Sequence, residues 1–404
     1  MHETSHNILV PMIPKLGLKY YYDDGAPLYY TPYGPAGSQF KGKKAADEFA
    51  DHCEWFYETN PDAPDRSAQD FIREYVDSHP LLSKEERMWA PSALREMEQW
   101  VGVNTELASA KHLAYYITER NLYVTGGYDT VVRYYSKPLI RDGHIKMGYQ
   151  VSDIKTFGDN HVVISGSDSD GESFDLSANA VIVTVPLGVL KRDLIKFSPP
   201  LPADIQYGIS KNSYHALGKI FFEFEEVFWS KERDQIIYYP KPDATLEDMD
   251  DCLSQAFVMS NLWVVEGIPE LCIQTASPLT EKLEQLNHQQ LYEYFEPLFK
   301  IMRTEPYKDL PKMVSVEMTE WTKDKFAGYG TYSCVGVGDD LSLLTNALEA
   351  HKDWNVQFAG EHTSSDGNGC VHGAFATGQT AAINLLRRFR VDYDGDNSPI
   401  ASPA

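Results

Sequence analysis

Phe358-Ala-Gly-Glu-His-Thr-Ser-Ser-Asp-Gly-Asn-Gly-Cys-Val-His-Gly-Ala-Phe375 joins a short apolar run at 356–359 to an apolar-periodic stretch that reaches Arg388. The run reads as a strand and the stretch as a helix from about Val371, with glycine and small polar residues between them. Gly360 and Glu361 then stand at the C-terminal end of a strand, which is where open α/β sheets bind their ligands. Beyond them, Gly367, Gly369 and Gly373 let the backbone approach a bound group closely at the start of the helix. A helix N-terminus carries unpaired N–H groups and partial positive charge, so it can hold an anion or a developing negative charge. Taken alone, the same stretch is equally a glycine-rich strand-to-helix turn with no ligand.

Upstream, strand-like runs at 121–124, 151–154, 162–165, 180–185 and 219–224 are separated by Gly, Asp and Ser turns. Gly126-Gly127 and residues 128–135 read as a tight turn and a helix, residues 281–302 as a helix, and 313–321 as a strand. Tyrosines clustered over 19–34 around Asp24-Gly25 give an aromatic hairpin signal. Residues 43–120 are helical in pattern: 45–57, 67–76 after Pro64, and 83–100, where Ser83-Lys-Glu-Glu86 is a capping box. Strands interspersed with helices imply an α/β lobe interleaved with a second lobe. The length of 404 residues agrees, because it exceeds what one hydrophobic core usually supports.

With 36 Lys plus Arg against 59 Asp plus Glu, the formal charge is −23. That disfavours nucleic acid and anionic membranes, whose phosphates draw on a basic surface. It permits a cationic ligand, since a negative protein concentrates positive solutes in its clefts, although on charge alone solubility is the simpler account. The cysteines at 53, 252, 272, 334 and 370 are odd in number and widely spaced, with no CxxC and no metal-ligand pattern. They read as free thiols in a reducing, cytoplasmic compartment. The longest apolar run, 180–190, is broken by Pro186 and is too short to cross a bilayer, and no signal peptide or peroxisomal ending is present.

The stretch at 358–375 resembles the C-terminal flavin signature of the flavin-containing amine oxidases, and especially of the fungal polyamine (spermine) oxidases. In that family the Glu of Gly-Glu-His-Thr contacts the flavin's ribityl and diphosphate arm, and N–H groups just before the helix meet the pyrimidine oxygen. The resemblance gives these places to Gly360, Glu361, Gly369, Cys370 and Val371. Ala180-Val-Ile-Val-Thr-Val-Pro-Leu-Gly-Val-Leu190 and Phe197-Ser-Pro-Pro-Leu-Pro202 resemble the family's central strand and crossover, and Val151 sits where a strand backbone holds adenine. Tyr214-His-Ala-Leu-Gly-Lys219 resembles the segment whose lysine reaches flavin N5 through a water. By composition Lys219 would be a snorkelling edge residue; the resemblance makes it catalytic, a buried lysine with a lowered pKa.

Trp321-Thr-Lys-Asp-Lys-Phe-Ala-Gly-Tyr-Gly-Thr-Tyr332 resembles the segment carrying the flavin-facing Trp and the Tyr wall of an amine-binding aromatic cage, which suits cation recognition by ring faces. Ordinary packing is the alternative for Tyr332. Thr331 stands where monoamine oxidases attach flavin through a Cys, so the FAD is expected to be noncovalent. Cys370 takes the place of the second cage tyrosine and leaves room for a long-chain amine. Trp100-Val-Gly and Ala108-Ser-Ala-Lys111 resemble the fungal subgroup, which makes Trp100 a wall of the substrate tunnel or else a core residue.

The resemblance begins inside the family pattern. Its opening strand, G-x-G-x-x-G and helix, a unit of ~30 residues, is absent from this sequence, whose first glycine is Gly17. Met1-His2-Glu-Thr resembles the segment after the family's Gly-Ala-Ser-Trp, and His2 matches a histidine that reaches the substrate amine. Two explanations stand: an internal Met of a longer protein, or a truncated relative without catalysis. The first is favoured because Lys219, Tyr332, Glu361 and the Gly369 loop are intact.

The implied architecture is a mixed α/β, two-lobe flavin amine oxidase fold. An incomplete Rossmann-like FAD lobe is expected over 1–18, 120–208 and 325–390, a substrate lobe of mixed sheet plus helices over 19–119 and 209–324, and a loose tail over 391–404. The implied activity is FAD-dependent oxidation of a polyamine by O₂ to an aminoaldehyde, a shorter amine and H₂O₂. Lys219, His2 and Tyr332 are the expected catalytic residues, with Trp100 and Cys370 beside the substrate and Trp321 beside the flavin. The alternatives are a non-catalytic binder of a small hydrophobe such as a steroid, and an oxidase of lysine side chains on proteins.

Overall fold

The computed structural model describes residues 1, 5–23, 25–37, 40–113 and 120–392. His2 and the tail from 393 onward fall outside them. The largest sheet has seven strands in the order Met313–Met318, Leu217–Phe224, Glu270–Ala276, Phe257–Asn261, Gln235–Tyr238, Leu28–Thr31 and Gly34–Ala36. Alternation along these strands separates two faces. One face carries Ile220, Phe222, Phe224, Ile236, Tyr238, Phe257 and Met259 into a core with Phe295, Leu298 and Phe299 of the helix His288–Met302. Phe222 meets Phe295 and Phe299 edge-on at 5.4 and 5.0 Å between centroids. Truncating one such buried ring to alanine typically costs about 3–5 kcal/mol.

The opposite face is covered at one end by helices. Ile237, Tyr239 and Val258 face the helical block built from Lys41–Thr59, Ala68–Ser78 and Lys84–Leu94. At the other end, Lys219, Phe221 and Glu223 project from the strand Leu217–Phe224 away from the aromatic core, and Lys219 is exposed. Tyr123 lies against Glu270 at this end, so the cleft is the part left open around the exposed Lys219.

A second core belongs to the four-stranded sheet Ser173–Ala178, Val162–Ser167, Gln150–Thr156, Lys196–Ser198 and to a parallel pair, Val181–Val183 with Val356–Phe358. Val183, Leu187, Ile205, Leu344, Val356 and Phe358 pack there. Among the described residues the parallel pair has no third strand, and a cavity of about 490 Å³ lies against Val356–Phe358 and the helix Val371–Arg388. Two further antiparallel pairs are short: Lys19–Asp23 with Asn121–Thr125, and Ser213–His215 with Tyr332–Cys334. The architecture is mixed helix and sheet, as expected, and no described helix is long and apolar enough to cross a membrane. All five cysteines are free thiols.

Local signals held where local bonds decide the structure. Ser83 and Glu86 form the expected capping box, and Asn287 with Gln290 forms another. The second box divides the helix expected over 281–302 into Leu279–Leu283 and His288–Met302. The aromatic hairpin over 19–34 does not form. Tyr21 pairs with Tyr123, whereas Tyr29 pairs with Ile237 and with Ala36. The helix expected over 83–100 stops at Leu94 and continues through a 3₁₀ turn at Arg95–Met97 into Glu98–Val101. Arg95 turns inward there, donating to Glu98 Oε1 at 2.8 Å and to the Ser254 carbonyl at 2.8 Å.

Candidate functional site

The signature stretch folds as its residues predict, from the strand Val356–Phe358 to the helix Val371–Arg388. The Gly360 N–H donates to Thr377 Oγ1 at 3.1 Å, which ties the end of the strand to the second turn of the helix. Gly373 lies so close to the loop that a Cβ there would stand 2.1 Å from the Gly367 carbonyl oxygen. The loop is thereby folded onto the first turn of the helix. Cys370 is the N-cap of this helix, and its side chain does not cap the helix N–H groups. Buried beside the loop, His362 is held down to about 4 by desolvation and is neutral near pH 7.

Glu361 does more than the resemblance implies. Its carboxylate accepts from the Ser333 N–H at 3.0 Å, the Ser333 Oγ at 2.5 Å and the Gly369 N–H at 2.7 Å. Burial raises its carboxyl above the ordinary range, and the Ser333 and Gly369 donors oppose that rise. One side chain thus fastens the strand Tyr332–Cys334 to the signature loop.

Tyr332 sits in a mould. Its hydroxyl donates to the Trp100 carbonyl at 3.1 Å. A Cβ on Gly102 would lie 2.8 Å from that hydroxyl, and one on Gly369 would lie 3.1 Å from the ring edge. With φ +77°, Gly102 also holds a backbone conformation that disfavours side chains. The turn bearing Trp100 and Gly102 is fixed by the buried Arg95–Glu98 pair, whose Glu98 Oε1 also accepts from the Thr105 N–H at 3.2 Å. The Tyr332 phenol is engaged by a carbonyl, and its ring is half-buried. Gly102→Ala should cost about 2–3 kcal/mol, from the left-handed φ and the overpacking. It should also raise the amine KM by displacing the ring. Urea denaturation and steady-state kinetics check both, and a variant unchanged in each would remove the mould.

Lys219 is tied to the start of the turn that carries Trp321 by Thr319, a residue that carried no motif. The Lys219 N–H donates to Thr319 Oγ1 at 3.0 Å, and the Thr319 N–H donates to the Lys219 carbonyl at 3.0 Å. Trp321 follows two residues later and is 44% exposed. The expectation of a buried Lys219 is corrected: strand alternation sends its side chain into the open cleft, opposite Ile220 and Phe222. The signature loop faces the same space. The Met1 backbone nitrogen lies there too, with Cys370, Asp23 and Lys219 among its neighbours.

Thr331 accepts from the Leu217 N–H at 2.9 Å and offers no thiol for flavin attachment. Val151 lies at an irregularity in Gln150–Thr156, against the second core. His2, expected beside the substrate amine, lies outside the described residues. Gly102, Ser333 and Thr319 carried no local signal, because their partners are distant in sequence.

The isoalloxazine end of a flavin fits what is present. A helix of 18 residues, approached through a loop folded onto its first turn, offers N–H groups and positive potential to a ring carbonyl and its developing charge. Cys370 and Val371 would hold that edge, with Lys219 across Met1 from Cys370.

Comparison with known proteins agrees. Residues 35–386 match the sequence model of the flavin containing amine oxidoreductases. A corticosteroid-binding protein of Candida albicans is 28% identical over 429 residues, covering 98% of this chain and 85% of the relative. Polyamine oxidase 4 of Oryza sativa subsp. japonica is 28% identical over 406 residues, covering 95% of this chain and 77% of the relative. The solved structure of cyclohexylamine oxidase from Brevibacterium oxydans superposes with a TM-score of 0.69, covering 96% of this chain and 86% of that one. At 16% identity that likeness shows the fold alone. With the family match spanning most of its length, this chain belongs to the flavin containing amine oxidoreductases and is an FAD-dependent amine oxidase.

Proposed function

We propose that the chain oxidises an extended aliphatic polyamine (spermine, spermidine or an acetylated form) to an aminoaldehyde, a shorter amine and H₂O₂. The observation that carries this reading is the row of side chains leading outward from Lys219. On its face of the sheet Lys219 pairs with Gln274, Phe221 with Cys272, and Glu223 with Glu270. Two carboxylates directly opposite each other repel, an arrangement that costs stability unless a cation sits between them. The Glu270 carboxyl is raised by burial and then by Glu223 and Glu266, and Tyr123 lies against the same group. Four residues of strand set these carboxylates roughly 13 Å from Lys219, the scale of a polyamine chain. A second ammonium would meet them while the first nitrogen lay near Lys219 and Tyr332.

FAD supplies the acceptor that takes a hydride from the carbon beside nitrogen and hands the electrons to O₂ as H₂O₂, leaving an imine for water to cleave. The chain's own task is to bind and orient. Tyr332 presents a ring face to the amine, and Lys219 holds a water or a proton at the cleft wall. The reacting amine must be neutral, because only a nitrogen lone pair drives hydride loss, so activity should rise with pH through the bound amine's pKa. The formal charge of −23 favours polycations over nucleic acid or anionic membranes as partners, and five free thiols suit a reducing, cytoplasmic compartment. A disulfide found in the protein taken from cells would oppose that placement.

The corticosteroid-binding relative supports a second reading, a family member that holds a small hydrophobe such as a steroid without turnover. Peroxide release separates the two. The first reading expects flavin absorbance in the purified protein and H₂O₂ with spermine but not with benzylamine. Flavin-free protein that binds corticosteroid and releases no peroxide would replace it with the second.

A further inference from the structure

The edge strand Met313–Met318 pairs with Leu217–Phe224 as far as Ile220 opposite Met318, after which the chain leaves the sheet in a turn. That turn is gripped at both ends. At its start Thr319 exchanges two hydrogen bonds with the main chain of Lys219, both at 3.0 Å. Beyond Trp321, the Thr322 N–H donates to Glu284 Oε1 at 3.3 Å and the Thr322 hydroxyl donates to Glu284 Oε2. The Lys323 ammonium adds a bond to the Glu284 carbonyl and another, at 2.7 Å, to Glu320 Oε1. Glu284 is 3% exposed and follows the helix Leu279–Leu283. Burying a carboxylate is costly unless its bonds are all made, and here the bonds serve a turn. Trp321, on the turn, is 44% exposed and belongs to none of the apolar cores. Its direction is therefore set by the backbone that Glu284 holds.

We propose that Glu284 is a positioning residue for amine oxidation: by gripping Thr322 it fixes where Trp321 stands beside Lys219 at the cleft. This rests on the reading that Trp321 and Lys219 face the flavin. Such an effect reaches chemistry through geometry, where a displacement of about 1 Å can cost orders of magnitude in rate.

The test compares Glu284→Leu, which fills the volume without the carboxylate, with Glu284→Gln, which keeps an acceptor for Thr322. In flavin-free protein, amide exchange of the peptide spanning 319–324 should quicken at least tenfold in Glu284→Leu. In flavin-loaded protein the visible band shape should change and kcat for spermine should fall on the order of tenfold, with KM less affected. Glu284→Gln should recover most of each. Faster exchange with unchanged band and kcat would make Glu284 a strut only and overturn the proposal. Controls Trp321→Phe and Lys219→Met locate the fault. If they too leave band and kcat untouched, the reading of the cleft has failed, and the proposal with it.

Discussion

Glu361→Ala is expected to free the signature loop from the strand Tyr332–Cys334 and to strip the protein of flavin. The substitution leaves three donors behind: the Ser333 N–H, the Ser333 hydroxyl and the Gly369 N–H. An unsatisfied buried donor costs about 1–3 kcal/mol, and the hydroxyl can rotate to another partner, so the net loss should be about 3 kcal/mol. The greater effect falls on the cofactor. Gly369 precedes the N-cap Cys370, and once its N–H is released the loop no longer holds the helix terminus at a fixed place. Tyr332 loses one wall of its mould by the same movement. Glu361→Gln keeps one accepting oxygen and should retain part of both stability and flavin. Denaturation midpoints and the flavin-to-protein absorbance ratio measure the two losses separately. An alanine variant with wild-type flavin content would confine Glu361 to structure, and one with wild-type stability would show that the three donors find other partners.

What the sequence made legible follows the range of the bonds involved. The helix Val371–Arg388 was readable to the residue, because its glycine approach and apolar period are local. Ser83 announced its helix for the same reason. The tyrosines at 19–31 misled because their distant partners stand at 121–125 and 235–238, and strand pairing at that separation leaves no trace in a short window, while the local pairing runs from 28–31 to 34–36. The helix expected through 100 broke where Arg95 found Ser254, a bond spanning 159 residues. The site divides in the same way. Lys219, Tyr332 and Glu361 were visible through their motifs. Glu284 serves through Thr322, 38 residues away, and Ser333 through Glu361, 28 away. The residues expected to touch the chemistry sit in recognisable motifs, whereas the residues that hold those motifs in place are found only when the chain is folded.

Lys219→Met should lower kcat by a factor on the order of a hundred or more, the usual scale for a lost proton-handling side chain. Methionine matches the length of the lysine stem and removes only the charge. Because the side chain projects into the cleft and makes none of the contacts in the aromatic core, the folded state should keep its stability. The main-chain bonds to Thr319 are unaffected by the substitution, so Trp321 should keep its place as well. The loss is then attributable to the ammonium. A second, flavin-independent readout accompanies it. The Cys272 thiol, on the same face of the neighbouring strand, is pushed up to about 11 by burial, with the Lys219 charge working against that rise. Removing the charge should push the thiol higher still and slow its alkylation at a given alkaline pH. Anaerobic flavin reduction by spermine and oxygen-dependent reoxidation, followed separately, would assign the lost rate to one half of the cycle. A variant that turns over at the wild-type rate in both halves, with Cys272 reacting more slowly as expected, would leave Lys219 in the cleft but remove it from the chemistry.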